Sequence, residues 1–418
     1  MPPAKRASRT APPRMRPFKA LLSREKALEI LLGAVRPIDA KEKVPLAESA
    51  GRVLAADARA PADVPAFTRS AMDGYAVRAE DTFGATRAAP KSLKVRESVH
   101  AGDVARGSVK AGVAIQIATG GKLPPGANAV VKVESTTAKA GQVLVHEAVP
   151  PGANVSLQGS DVKRGVAALR AGDVLAPARV GLLAALGIAQ VEVYRRPSVS
   201  IVPTGNEVVE PGRALREGQV YNSNAYAVEA LLAEHGALCR RHPVAGDDVD
   251  TLAKALLKDA KDADLVVLTG GSSVGERDLA VDVVQSAGEV LVHGVQVKPG
   301  KPLLVGRLSD GRVVMGLPGY PTSCYTNAAI FGIPAVRRLA RLPTWTPRSA
   351  RVPLGERVAS NLGRYQILPV AIREGKAYST FKESGAITSV AASEGWIGIP
   401  DNRDLVDAGE EVEVFFWR

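Results

Sequence analysis

At 418 residues the chain is too long for one compact core, and two to four domains are expected. With 46% apolar residues, a mean hydropathy of +0.02 and no apolar run near the roughly 20 residues that span a bilayer, it reads as a soluble, globular protein. The formal charge is +11, but Lys5, Arg6, Arg9, Arg14 and Arg16 all fall in the first 17 residues, so the body is about half as basic as the total suggests, and neither nucleic acid nor a membrane is expected as a partner.

That tail is rich in Pro and Ala, lacks the apolar centre of a secretory signal, and reads as a disordered basic arm over residues 1–17. Ser23 can cap a helix carrying Leu28, Leu31, Leu32 and Val35 at i, i+3, i+4, i+7 spacing, stopped by Pro37. A second helix is expected over roughly Leu46 to Ala58. Next comes Pro65 to Val77, a segment without periodicity that includes Ser70-Ala71-Met72-Asp73-Gly74-Tyr75-Ala76-Val77. From about Lys91 to Val155, short β-type runs alternate with Gly and Pro turns, which describes a small all-β unit. Helical texture returns from Ala176 to Leu186.

From Ser198 onward strands and helices alternate, as in a mostly parallel sheet covered on both faces. Strands are expected over Ser198–Val202, Leu238–Arg241, Asp264–Leu268 and Val290–Val297, with helices near Asn224–Glu234, after Asp247-Asp248, at Leu279–Ser286 and from Thr322 or Ser323. Pro343 to Pro347 mark a linker, and the remainder reads as strands and turns. The expected fold is therefore multidomain α+β. A split helical domain covers 18–60 and 156–194, an inserted β domain 61–155, an α/β substrate-binding domain 195–343 and a C-terminal β-barrel 344–418.

Three loops after strands carry the chemistry: Thr269 to Asp278, Lys298-Pro299-Gly300-Lys301-Pro302, and Gly316 to Ser323. Loops at the carboxyl ends of strands are where open α/β sheets bind ligands. Gly271-Ser272-Ser273-Val274-Gly275 has the Gly-x-Ser-x-Gly spacing of a hydrolase nucleophile elbow, but only His293 follows it, about one strand away. Nor is it a P-loop, because Glu276 and Arg277 stand where Lys and Ser/Thr are required. What remains is a Gly-rich loop able to hold an anion on backbone N–H groups, beside Asp278, or simply a turn with a capping Asp. Lys298 and Lys301 flank a Pro-Gly turn, which suits an anion between them and equally suits a solvated basic turn. Pro318, Gly319 and Pro321 lead into a helix whose first N–H groups favour an anion. Cys324 is more simply a buried core residue than a reactive thiol, and two cysteines without a Cys-x-x-Cys pair suit a reducing cytoplasm. Five histidines without metal-ligand spacing argue against a zinc or iron site. The loop acids Asp73, Glu207, Asp247, Asp248 and Asp278 could serve Mg²⁺ beside phosphates, or act as caps and turn residues.

In order along the chain, Ser70 to Val77, Ala118-Thr119-Gly120-Gly121 with Pro125 to Val131, Pro203-Thr204-Gly205-Asn206-Glu207, Thr269 to Asp278, Lys298 to Pro302 and Gly316 to Pro321 resemble the molybdopterin molybdenumtransferases. These are the bacterial MoeA type, whose animal counterpart is the E domain of gephyrin. The resemblance implies a fold in agreement with the reading above, with an α/β domain like that of the molybdopterin adenylyltransferases, and an elongated homodimer. It implies Mg²⁺- and molybdate-dependent cleavage of adenylylated molybdopterin, ligation of molybdenum by the dithiolene and release of AMP. The product would pass to transfer partners in molybdenum cofactor synthesis. On that chemistry Lys298 and Lys301 would hold molybdate or phosphate. Gly270, Gly271, Ser272, Ser273 and Gly275, with Pro318, Gly319 and Pro321, would bind substrate, as would Asp161. Asp278, Glu207, Asp247 and Asp248 would organise Mg²⁺, and Asp73 with Thr119 would reach the reacting centre across the dimer.

The sequence departs from the family pattern at three positions: Gly294 replaces a basic residue, Ser156 an arginine and Tyr320 the usual asparagine. A scaffold that kept the fold, or an adenylyltransferase or nucleotide hydrolase using the α/β domain alone, are the alternatives; the retained charged loops argue against the scaffold.

Overall fold

Ser23 opens the first helix as expected, its Oγ accepting from the Lys26 N–H at 3.2 Å. A computed structural model describes residues 21–270 and 279–418. The chain divides into two compact units, one of residues Lys43–Val193 and the other of the segments on either side.

In the Lys43–Val193 unit a six-stranded sheet runs in the order Ala129–Lys132, Gly74–Val77, Val113–Ile117, Lys91–Val99, Gln142–Val145, Thr136–Lys139. Alternate residues of its strands enter separate apolar clusters: Tyr75 and Val77 pack with Leu93, Val131 and Val143, whereas Ala76 packs with Val99, Ile115 and Val130. Side chains alternate across a strand, so both faces of this sheet are covered. A further cluster unites Val44, Leu54 and Ala58 with Leu169, Leu175, Leu183 and Val191, joining the chain on either side of the sheet. The helix expected over Leu46 to Ala58 shrinks to a 3-10 turn, Leu46–Glu48. Ser49 Oγ donates back to the Leu46 carbonyl at 2.7 Å, and Leu54 N–H turns to the Asp173 carbonyl at 2.9 Å, so the backbone bonds to a neighbouring segment instead.

In the other unit the six-stranded order is Leu238–Arg241, Ser198–Pro203, Leu265–Thr269, Val313–Leu317, Leu304–Leu308, Gly288–His293. The first four are mutually parallel, and Leu304–Leu308 pairs antiparallel with Val313–Leu317 on one side and with Gly288–His293 on the other. Strands Ser198–Pro203 and Leu265–Thr269 are almost wholly buried, as parallel strands covered on both faces should be. Asp264 fixes the entry to the sheet: its carboxylate accepts from both Arg195 terminal nitrogens, at 2.8 and 3.0 Å, and from Ser198 N–H at 2.7 Å.

Helix Arg24–Ala34 belongs to this unit. Ala27, Leu31 and Val35 are buried with Val292, Val295 and Leu339, because the apolar stripe meets the helix Ile333–Leu339, whose Arg338 Nε donates to the Val35 carbonyl at 3.1 Å.

The last segment forms strands Ser349–Pro353, Tyr365–Arg373, Lys376–Ser379, Gly395–Ile399 and Glu411–Phe416. They pair in turn around Leu368, Val370, Ile397 and Val414, and a bridge between Leu354 and Ala377 brings the last edge back toward the first. Trp396 stacks between Trp345 and Trp417, with ring centroids at 5.8 and 4.5 Å, which pins the proline-rich linker to the sheet. No helix among the described residues is long and apolar enough to cross a membrane.

Phe331 is the bulkiest fully buried side chain and lies in the helical run after Pro321, at the centre of the larger core. Phe331→Ala is expected to cost about 3–5 kcal/mol. Urea denaturation should show this as an earlier midpoint.

Candidate active site

Within the Lys43–Val193 unit the Asp73 loop is set by its neighbour. Gly74 opens a central strand so tightly packed that a β-carbon there would lie 1.9 Å from the Val131 carbonyl oxygen. Asp73 therefore sits at a fixed strand start. Its Oδ1 accepts from the Thr119 backbone N–H at 2.7 Å and from Thr119 Oγ1 at 3.0 Å. These two donors, the backbone one first, hold the carboxyl below the usual aspartate range while both residues remain exposed. Two residues 46 positions apart in sequence are thus brought together as one anionic feature. Asp161 lies on a separate loop bridged to Val64.

In the other unit three neighbouring parallel strands end side by side, with Pro203 opposite Thr269 and Thr269 opposite Leu317. Thr204, Gly270 and Gly319 follow them. Gly270 has a φ of +102°, and a β-carbon there would lie 2.6 Å from the Thr204 carbonyl oxygen and 3.0 Å from Thr204 Oγ1. Gly319 faces the Gly270 α-carbon, and its carbonyl accepts from Asn224 Nδ2 at 2.7 Å.

Thr204 and Thr269 are 4% and 3% exposed, yet neither hydroxyl has a hydrogen-bond partner among the described residues, and neither does Asn224 Oδ1. Leaving a buried hydroxyl unpaired costs about 1–3 kcal/mol, and so many at one sheet end mark a place where a polar ligand can complete the bonding. Thr204 and Thr269 stand within the motifs at the strand ends, whereas Asn224 stands in none of them. The available signal was a threonine followed by glycine at two successive strand ends. Gly271, Ser272, Ser273, Gly275 and Asp278 lie outside the described residues.

The acids gather at the next loop. Asp247 Oδ2 accepts from Asn206 N–H at 3.1 Å while Asn206 Oδ1 accepts from Asp247 N–H at 3.2 Å. The Glu207 carboxylate folds back over Gly205, so that a β-carbon on Gly205 would meet Glu207 Oε1 at 2.7 Å. Asp248 is occupied differently: it caps the helix Val249–Lys254, accepting from Thr251 N–H at 2.8 Å, which lowers its pKa. Among the described residues no group of three or more His, Cys, Asp or Glu is arranged to hold a metal ion. The donor set fits Mg²⁺ only in the mode that uses one or two carboxylates and completes its shell with water and phosphate oxygens; Glu207 and Asp247 suit it.

Lys298 is less free than a loop lysine. Val297–Lys298 forms a short parallel ladder with Tyr365 and Gln366 of the C-terminal sheet, and Lys298 Nζ donates to Asn361 Oδ1 from the same region. On the other side of the turn, Asn327 Nδ2 donates to the Gly300 carbonyl at 2.8 Å, and a β-carbon on Gly300 would lie 2.5 Å from Asn327 Oδ1. The Lys298–Pro299 peptide is cis. Gly294 has a φ of +94°, a region unfavourable to a side chain.

The helix start at Pro321 is not an open anion site. Pro321 has no N–H, and Thr322 N–H is bonded to the Ser384 carbonyl at 3.0 Å. Pro318 is buried and Gly319 exposed.

Because fold-supplied donors favour the ionised form of Asp73, its contribution to stability is complete above the ordinary aspartate value of about 4 and is lost as pH falls through the depressed value. Thr119→Val removes the hydroxyl and keeps the backbone donor. The Asp73 pKa, read from carboxyl ¹³C shifts, is expected to rise yet stay below that of a free aspartate; no change would mean the hydroxyl bond is absent in solution.

Three family descriptions cover the chain in order: "MoeA N-terminal region (domain I and II)" over residues 22–187, "Probable molybdopterin binding domain" over 200–338 and "MoeA C-terminal region (domain IV)" over 351–417. Molybdopterin molybdenumtransferase 2 of Mycobacterium tuberculosis is 34% identical over 412 residues, covering 95% of this chain and 99% of that protein. The molybdopterin molybdenumtransferase of Staphylococcus epidermidis is 31% identical over 375 residues, 88% of this chain and 89% of that one. A molybdopterin biosynthesis MoeA protein from Pyrococcus horikoshii, solved by crystallography, superposes with a TM-score of 0.81 at 38% identity, over 96% of this chain and 100% of that one. The chain therefore belongs to the MoeA family of molybdopterin molybdenumtransferases.

Proposed function

We propose that this protein inserts molybdenum from molybdate into adenylylated molybdopterin, releasing AMP and yielding molybdenum cofactor. The observation that carries the reading is the cradle at the carboxyl ends of three parallel strands, where the Thr204 and Thr269 hydroxyls lie buried and without a partner among the described residues, beside the bare backbone of Gly270. Such a cradle suits phosphate oxygens, and it lies in a chain that follows the family from residue 22 to 417.

In this reading Thr204 and Thr269 donate to substrate oxygens, and Gly270 lets the phosphate approach the backbone. Lys298, held by Asn361, and Lys301 neutralise molybdate and the departing phosphate, two anions that otherwise repel. Fixed charge aimed at developing negative charge needs no reorganisation when the bond breaks, which is the source of the acceleration. Glu207 and Asp247, with Asp278, would hold Mg²⁺, which supplies charge neutralisation on phosphate oxygens. Asp248 serves the same region by ordering the helix after it. We assign the protein to the cytoplasm and infer that it works as a homodimer, with Asp73 and Thr119 of one subunit serving the strand-end cradle of its partner.

AMP release from adenylylated molybdopterin tests the reaction. Release that requires molybdate, and that falls at least tenfold in Asp73→Asn and in Lys298→Ala, is expected. Molybdate-independent release would instead indicate a nucleotide hydrolase, and none at all a scaffold. Mixing the two variants tests the shared site. In a random mixture half the dimers are mixed, and each mixed dimer regains one intact site, so about a quarter of wild-type activity should return. No recovery would rule out sharing between subunits.

A further inference from the structure

Tyr320 breaks a local rule at the edge of the cradle. It is the N-cap of the helix Pro321–Asn327, where Ser, Thr, Asp or Asn would satisfy a free N–H, and its side chain makes no cap bond. Its neighbour Gly319 faces Gly270, so Tyr320 follows the strand-end cradle by one residue along the chain. Pro318 and Pro321 limit the backbone on both sides, and Thr322 is tied to the C-terminal segment through its N–H to Ser384 and its Oγ1 to the Ala386 carbonyl at 2.8 Å. One part of the ring is backed by Gly385, where a β-carbon would lie 3.7 Å from Tyr320 Cδ1. The rest is open: the residue is 66% exposed. A rigidly mounted aromatic ring that forgoes a helix cap and is backed on one side offers a flat apolar surface beside an oxyanion cradle.

We propose that Tyr320 is the stacking platform for the fused heterocycle of the substrate, with the phosphate chain lying at Thr204, Thr269 and Gly270. This rests on the functional reading above and adds a specificity-determining residue to it. Adenine and pterin offer the same planar chemistry, and separate probes distinguish them.

Binding is measured by calorimetry for AMP, for 6-hydroxymethylpterin and, as the ring-free control, for pyrophosphate. In Tyr320→Ala the affinity for at least one of the two ring probes should fall roughly five- to hundredfold, with pyrophosphate unchanged; whichever falls identifies the ring that stacks. Tyr320→Phe should retain it. Tyr320→Asn supplies a cap, so it should melt at a higher temperature than wild type while losing ring affinity as Tyr320→Ala does, a split that a purely structural role would not give. The proposal is overturned if both ring probes bind Tyr320→Ala as they bind wild type, or if pyrophosphate weakens in parallel. Wild-type protein that binds none of the three probes would overturn the functional reading together with this one.

Discussion

The lysine turn depends on a short parallel ladder, in which Val297 and Lys298 register against Tyr365 and Gln366. It makes the strand before Pro299 a member of the C-terminal sheet, although in sequence it follows the α/β strands. The turn is gripped from both sides: Asn361 takes the Lys298 ammonium, and Asn327, from the helical run after Pro321, holds Gly300. A lysine side chain carries several rotatable bonds, and most of its freedom has to be removed before it can serve as a fixed charge. The C-terminal segment therefore orders a cation that the α/β segment carries.

A second constraint acts at the strand ends. Parallel pairing aligns Pro203, Thr269 and Leu317, so the residues just beyond them share a single edge. Burial at that edge comes with two hydroxyls and an amide oxygen that the described residues leave unpaired. In a structural core such groups would be replaced by apolar ones or given partners. Their presence at the mouth of the sheet is the observation on which the proposed phosphate cradle rests.

Much of this was legible in the sequence. Alternation of strands and helices after Ser198 identified the parallel sheet, and the expected loops do follow its strand ends. Ser23 and Asp248 cap helices, as their types suggested. The misreadings have a common cause, which is bonding to distant segments. Leu46 to Ala58 has helical periodicity, but its backbone bonds to residues near Asp173. Helix Arg24–Ala34 packs against a helix some 300 positions on, a pairing that no local pattern records. Thr322 looked like an open helix N-terminus until Ser384 supplied its acceptor. The fixed state of Asp73 was equally hidden, since Thr119 lies 46 residues away.

Arg338 reaches the Val35 carbonyl across 303 positions, and the segment between them includes the whole of the Lys43–Val193 unit. On the ribosome, the first helix emerges long before any surface that can cover Ala27, Leu31 and Val35. The intervening unit has its own apolar clusters and can close on itself meanwhile. An amphipathic helix that waits for its partners until most of the chain has been made has a period of exposure to aggregation and chaperones, and its burial is complete only when the stretch from Val292 to Leu339 has been synthesised.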